Sequence, residues 1–327
     1  MIEMKPSWNL VADIGGTNAR FAVLLTGEAN HLCEFHYSVE QQPQFQLLIE
    51  SLMQQIAGTT GWSHPPSKVC FAVACPVDMD PLVITNCPWQ FSRHDLQQTL
   101  DCDNILIIND FAAMAYGVQA ISDADVTQIG IGRAIVNKPI AILGAGTGLG
   151  MAALIPGSSR YQVIETEGGH ADFAPLNDLQ IHINETLKKE YGHVSLERLL
   201  SGPGLLNIYK ALAGNSSDKQ RFQQPRQLVE AALHGRDETA LQVLELFSEV
   251  MGAAAGNLAL TYGARGGVYI TGGVIPRFEQ LFIASRFRQK FEDKGRFRPY
   301  LSNIPTFLVT RDNLGLFGAA MSLNTTE

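Results

Sequence analysis

The sequence predicts an α/β protein folded as two lobes. Two observations carry this: buried-type strand runs alternate with helical periods along the chain, and a strand–glycine turn–strand unit near the start is echoed by another near residue 140. Two such units in one chain point to paired lobes of duplicated architecture. With 327 residues, 46% of them hydrophobic, the chain is long and apolar enough to bury a core in each.

The elements follow in order. Trp8-Asn-Leu-Val-Ala12 reads as a strand, Asp13-Ile-Gly-Gly-Thr-Asn18 as a turn, and Arg20-Phe-Ala-Val-Leu-Leu25 as the return strand. Residues 44–56 carry a helical period through Phe45, Leu48, Ile49 and Leu52. Runs at 69–74, 82–85 and 105–108 read as strands, the last ending at Asn109-Asp110, after which 111–120 reads as helix. The second hairpin is Ile140-Ala-Ile-Leu143, the turn Gly144-Ala-Gly-Thr-Gly-Leu-Gly150, and Met151-Ala-Ala-Leu-Ile155. Helices follow at 176–191 and 241–262, the latter with Val243, Leu244, Phe247, Val250, Met251 and Leu258 on its buried stripe. A strand at 268–270 enters Thr271-Gly-Gly-Val-Ile-Pro276; a last strand at 306–309 and a closing helix at 314–323 complete the chain. The polar stretch 213–224 reads as a surface loop.

Composition excludes several functions. The formal charge of −8 opposes nucleic-acid binding by bulk electrostatics, and the short basic cluster Lys294, Arg296, Arg298 reads as solvated surface. Five cysteines, an odd number with no CxxC pair, fit a reducing compartment rather than a disulfide or zinc framework. The first residues lack signal-peptide architecture. The longest uncharged stretch, 139–159, is interrupted by glycines and reads as two strands and a turn, not a membrane span. A cytoplasmic protein is the expectation.

Three glycine turns follow strands, and glycine lets successive backbone N–H groups approach phosphate oxygens. Neither hairpin turn ends in the Gly-Lys-Ser/Thr of a Walker A loop. The 144–150 turn has Leu149 where a dinucleotide fingerprint needs its third glycine. A hairpin phosphate clamp remains. Asp13 could hold Mg²⁺ through water or serve ordinary turn chemistry. Asp110, ending a buried strand beside Asn109, could be a general base for a hydroxyl nucleophile or the cap of the following helix. Glu167-Gly-Gly-His170 could bind hydroxyls or form a solvated turn; His170 has no second ligand at zinc spacing. Glu197 could join that set or pair with Arg198, and His193 reads as packed or capping.

Asp13-Ile-Gly-Gly-Thr-Asn18, Ala74-Cys-Pro76, Ile107-Ile-Asn-Asp-Phe111, Gly144-Ala-Gly-Thr-Gly-Leu-Gly150, Glu167-Gly-Gly-His170, Ser201-Gly-Pro-Gly204 and Thr271-Gly-Gly-Val-Ile-Pro276 occur in this order. Together they resemble the bacterial glucokinases of the hexokinase/actin-like ATPase superfamily, from about residue 8 to about residue 320. The resemblance implies a two-lobed actin-like ATPase (ribonuclease H-like) fold with the active-site cleft between the lobes. It implies a small N-terminal lobe of residues 1–120 plus a returning 311–327, and a large lobe of 121–310. Activity, by the same resemblance, is ATP- and Mg²⁺-dependent phosphorylation of D-glucose at the 6-hydroxyl, feeding glycolysis, in a homodimer. Asp13, Ile14, Gly15, Gly16, Thr17, Asn18, Gly146 and Thr147 would face the ATP phosphates, Asp13 also the Mg²⁺ through water, and Gly272 and Gly273 the adenosine. Asn109, Asp110, Glu167, His170 and Glu197 would bind glucose, Asp110 as base.

Where relatives carry Asn-Pro-Gly, this chain has Asn313-Leu-Gly315, a departure expected to touch a loop and not the site. The chain lacks the cysteine-rich zinc motif of the repressor/ORF/kinase sugar kinases. A sugar-sensing regulator without turnover is the rival, but only twelve residues precede Asp13 and no basic recognition helix is evident. An actin- or chaperone-like ATPase is a third reading, opposed by the 167–170 and 197 constellation.

Overall fold

A computed structural model describes residues 6–28, 30–42, 44–84, 87–214 and 221–324. The chain divides into two compact units, one of residues 1–122 and 311–327, the other of 123–310.

Unit 1 begins with the hairpin of β1 (Trp8–Ile14) and β2 (Asn18–Leu25), extended by β3 (His31–Ser38). The strands reach further into the Asp13–Asn18 motif than the apolar runs predict, because Asp13 pairs with Arg20 and Ile14 with Ala19 in the ladder. Helix α1 (Phe45–Thr60) buries the expected Phe45, Leu48, Ile49, Leu52 and Ile56 and ends on left-handed Gly61. Strand β4 (Lys68–Val73) follows; then β5 (Leu82–Val83) and β6 (Gln90–Phe91) pair as a small ribbon. Thr85, the end of the expected strand there, lies outside the described residues. Helix α2 (Arg93–Leu100) is capped by Ser92, and β7 (Ile105–Asn109) runs into α3 (Asp110–Val118). The sheet order is β3-β2-β1-β4-β7, antiparallel through the first three and parallel through β1, β4 and β7.

Unit 2 repeats this scheme. Strands β8 (Val126–Ile129), β9 (Ile140–Ala145), β10 (Leu149–Pro156) and β11 (Tyr161–Thr166) precede helices α4 (Asp178–Tyr191), α5 (Gly202–Ala213), α6 (Pro225–Leu233) and α7 (Glu238–Tyr262). Strand β12 (Gly267–Thr271), short helices α8 (Glu279–Ala284), α9 (Phe287–Glu292) and α10 (Arg298–Ser302), and β13 (Thr306–Val309) complete it. The order β11-β10-β9-β12-β13-β8 again sets an antiparallel meander beside parallel strands. Of the expected polar loop, residues 215–220 lie outside the described residues.

Helix α7 is long and apolar enough to cross a membrane, but 67% of its most apolar window is buried inside the protein. Val243, Leu244, Phe247, Val250 and Met251 sit in the core of unit 2, with Leu258 packed partly against it. Gly252 and Gly256 let α9 approach closely: a Cβ at either would strike the backbone carbonyl of Phe287 or Phe291. Lys294 corrects the expectation of a solvated basic cluster. Its Nζ donates to the Ala253 carbonyl at 3.0 Å, its stem covers Gly256, and burial lowers its pKa. Arg296 and Arg298 are exposed as expected.

Returning to unit 1, the chain forms α11 (Leu314–Leu323), entered through left-handed Asn313. It packs on α3 with almost no spacing, since a Cβ on Gly318 would collide with the Ala113 carbonyl and one on Gly117 with Leu314. Its far end docks on β4, where Ser322 Oγ and Cys70 Sγ are 3.1 Å apart.

Candidate active site

In unit 1 the predicted residues collect at the C-terminal ends of three adjacent strands. Asp13 on β1 is registered with Ala72 of β4, and Val73 of β4 with Asn109 of β7. The Gly15–Asn18 turn closes through Gly15 N–H to Asn18 O at 3.0 Å, and Ile14 O accepts from Ala74 N–H at 3.0 Å. Only 19% of the Asp13 side chain is exposed, with Arg20 Nη1 3.7 Å away. Burial raises the Asp13 pKa, and the Arg20 charge offsets part of the rise.

The departing residue of Asn313-Leu-Gly315, Leu314, opens α11 and packs against Gly117 of α3, but the Gly315 beside it does reach the site. A Cβ on Gly315 would lie 3.1 Å from both Cγ and Oδ2 of Asp13 and 3.3 Å from Oδ1. The first turn of α11 therefore abuts this carboxylate, where a helix N-terminus favours negative charge. Nothing in the local sequence signals a contact between residues some 300 positions apart.

The cap of α3 is Asn109, not Asp110. Asn109 Oδ1 accepts from Phe111 N–H at 2.9 Å and Ala112 N–H at 3.4 Å, which engages its carbonyl and leaves its amide donors outside the cap. Asp110 is the first helical residue, with Oδ1 2.9 Å from Phe111 N. Its charge also reaches Cys75, whose thiol is pushed up to about 11 by burial first and by Asp110 second.

In unit 2 the predicted residues gather on the tip of the β9–β10 hairpin. Gly146 and Thr147 form the turn, closed by Gly146 N–H to Gly148 O at 2.8 Å, and a Cβ on Gly146 would meet open space. Thr271-Gly-Gly273 is tied to the same tip. Val274 N–H donates to Ala145 O at 3.1 Å, and Gly272, at φ 95°, has its Cβ position filled by the Ala145 backbone. Glu167 and His170 flank a short turn of 3₁₀ helix, with 66% and 60% of their side chains exposed and Nε2–Oε2 at 3.8 Å. Gly169 between them packs directly on the Leu149 carbonyl. Glu197 Oε2 accepts from Leu149 N–H at 2.9 Å; Arg198, its expected partner, lies over the Tyr191 ring at 4.0 Å instead. His193 is exposed and binds outward, 3.3 Å from Asp172 Oδ1 and 3.3 Å from His170 O. The backbone of Leu149 thus meets Glu197 through its N–H and Gly169, between Glu167 and His170, through its carbonyl. Asp172 and His193 were invisible as a pair, since they stand twenty-one positions apart.

The comparisons with known proteins agree with this geometry. A family model described as Glucokinase matches residues 10–326. The chain belongs to the glucokinase family. A glucokinase of Tolumonas auensis is 43% identical over 316 residues, covering 96% of each chain. One of Klebsiella pneumoniae is 40% identical over 319 residues, 97% of each. Among solved structures, glucokinase from an Antarctic psychrotroph superposes with a TM-score of 0.84 at 35% identity, over 98% of this chain and 100% of that one. A Streptomyces griseus glucokinase in complex with glucose and AMPPNP, at 20% identity and a TM-score of 0.66 over 96% and 98%, shows the fold alone. Family and fold are thus those of the actin-like sugar kinases.

Proposed function

We propose that the chain phosphorylates D-glucose at the 6-hydroxyl with ATP, giving glucose 6-phosphate and ADP. The observation that carries this is the hairpin tip of unit 2. A glycine turn suited to phosphate is bonded through Leu149 N–H to Glu197, and the Leu149 carbonyl seats Gly169, between Glu167 and His170. A protein that only bound sugar would have no use for the turn, and a bare ATPase none for the three side chains.

On this reading Asp110 accepts the proton of the attacking hydroxyl, a role typically worth ~10²–10⁴ in rate. Asn109 uses its amide donors to orient the sugar while its carbonyl holds the start of α3. Glu167, His170 and Glu197 pair the remaining hydroxyls, so an inverted or missing hydroxyl leaves a partner unmatched. Backbone amides of the 15–18 and 146–148 turns receive phosphate oxygens, and Gly272-Gly273 lies beside the adenosine. Among the described residues no group of three acidic, His or Cys side chains is placed to hold a metal. Mg²⁺ would instead be held chiefly by the ATP phosphates, with the largely buried carboxylate of Asp13 reaching it through water. When bound, it neutralises charge developing on the transferred group. The reading also carries a cytosolic location and a homodimer, the latter open to light scattering.

The test is formation of sugar 6-phosphate from ATP and Mg²⁺, with glucose, mannose, fructose and N-acetylated hexosamines in parallel. Glucose should be strongly preferred, and Asp110→Asn should lose at least about 10²-fold in kcat with its fold intact. Equal turnover of mannose, or an Asp110→Asn variant of near-normal kcat, would refute the assignment.

A further inference from the structure

We infer that Glu197 is a positioning residue that couples sugar binding to the phosphate turn. The inference rests on the kinase reading above and concerns unit 2 alone.

The geometry is a two-armed brace. On one arm Glu197 Oε2 accepts from Leu149 N–H at 2.9 Å, where the turn enters β10. Gly148 opens that approach, since a Cβ there would run into the same oxygen. On the other arm Gly202 N–H donates to Gly146 O at 2.8 Å, at the opposite side of the turn. The segment joining the arms is itself fastened. Ser201 Oγ donates to Glu197 O at 2.9 Å and accepts from Gly204 N–H at 3.0 Å, and Leu196 N–H is held by Ala171 O at 2.9 Å, one residue past His170.

Glu197 therefore has one carboxylate oxygen on the phosphate turn and the other to offer a sugar hydroxyl. A sugar that fixes Oε1 also fixes the rotamer that keeps Oε2 on Leu149, and so stiffens the turn for the phosphates. Such coupling is reciprocal: whatever factor sugar adds to nucleotide affinity, nucleotide adds to sugar affinity. A hydrogen bond to a charged group is worth about tenfold in an equilibrium constant, which sets the expected size.

The experiment measures the dissociation constant of Mg²⁺–AMPPNP by calorimetry, without glucose and at saturating glucose, in the full-length protein. The wild type should show about tenfold tightening by glucose. Glu197→Asp, too short to span both ends, should bring that ratio to near one, whereas Glu167→Gln should weaken glucose yet keep the ratio at saturation. From the turn side, Gly148→Ala should displace the carboxylate and weaken glucose binding in nucleotide-free protein, although residue 148 belongs to the phosphate turn. Should Gly148→Ala not fold, Glu197→Asp decides alone. A wild type that phosphorylates glucose but shows a ratio of one, or a Glu197→Asp variant that keeps the full ratio, overturns the coupling while leaving the kinase reading intact. A wild type that turns over no sugar removes the kinase reading first, and the coupling with it.

Discussion

Replacing Gly315 by alanine adds one methyl group at the one place where α11 meets the Asp13 carboxylate. The new Cβ would stand 3.1 Å from Cγ and Oδ2 and 3.3 Å from Oδ1, a few tenths of an ångström inside ordinary contact. Asp13 cannot retreat through its backbone, because its residue is laddered to Arg20 on one side and Ala72 on the other. Nor can α11 back away easily, since Gly318 rests on the Ala113 carbonyl. The side chain must rotate, at about 0.5–1.5 kcal/mol. A misplacement of about 1 Å costs ~10²-fold in rate, so a few tenths of an ångström scale to roughly 5–10-fold. Stability should hardly change, because alanine gains about 0.8–1 kcal/mol of helix propensity over glycine against a similar packing strain. The expected result is a roughly 5–10-fold drop in kcat/KM for MgATP, with glucose affinity within about twofold and an unchanged melting temperature. Unchanged kcat/KM would refute the claim that Asp13 faces the nucleotide, and a matching loss of glucose affinity would show a general distortion of unit 1.

Three further outcomes follow from buried ionisable groups. Burial raises the Asp13 pKa, so its contribution to stability is greatest at low pH and is lost as pH rises through the folded-state value. Asp13→Asn should therefore be inactive yet melt higher than wild type at pH 7, with the gap narrowing toward pH 4; a lower melting temperature at pH 7 would contradict this. Burial lowers the Lys294 pKa, so its contribution is least favourable while it is charged and improves as pH rises through the folded-state value. Lys294→Met should match or exceed wild-type stability at pH 7 and lose that advantage in alkaline solution; denaturant titrations at pH 7 and 10 decide. Cys75, pushed up to about 11, should alkylate more slowly than the partly exposed Cys33 and Cys87 at pH 8. Asp110→Asn should speed its alkylation by removing the second cause, and an unchanged rate would mean the two groups are not neighbours.

How much was legible in the sequence depended on how far each feature reaches. The glycine motifs and the buried strands β1, β4, β7, β9 and β12 were legible because their own residues dictate them. Strands β3 and β11 were not, since each lies at an edge of its sheet and its exposure pattern shows no clean alternation. Helix α5 opens with Gly202-Pro-Gly204, three residues that carry no helical period of their own; the structure makes them a helix start capped by Ser201. Among the site residues, types and order were readable but not their connections. The bond from Glu197 to Leu149 spans 48 positions, and the approach of Gly315 to Asp13 spans nearly the whole chain. Neither leaves a local pattern, because a glycine chosen for a distant neighbour looks like any other glycine.

The way unit 1 is assembled has a consequence for synthesis. Its strands and α3 leave the ribosome first, but the helix that covers Ala113, Gly117 and Cys70 follows only after all of residues 123–310. At ~5–20 residues per second this leaves the apolar seat of α11 bare for roughly ten to forty seconds. Unit 2, contiguous in the chain, can fold during that wait. Ribosomes that stall after codon 310 but before codon 314 would release a product whose second unit is complete and whose first is open, a natural target for chaperones and proteases. Docking of α11 is thus the step that completes unit 1.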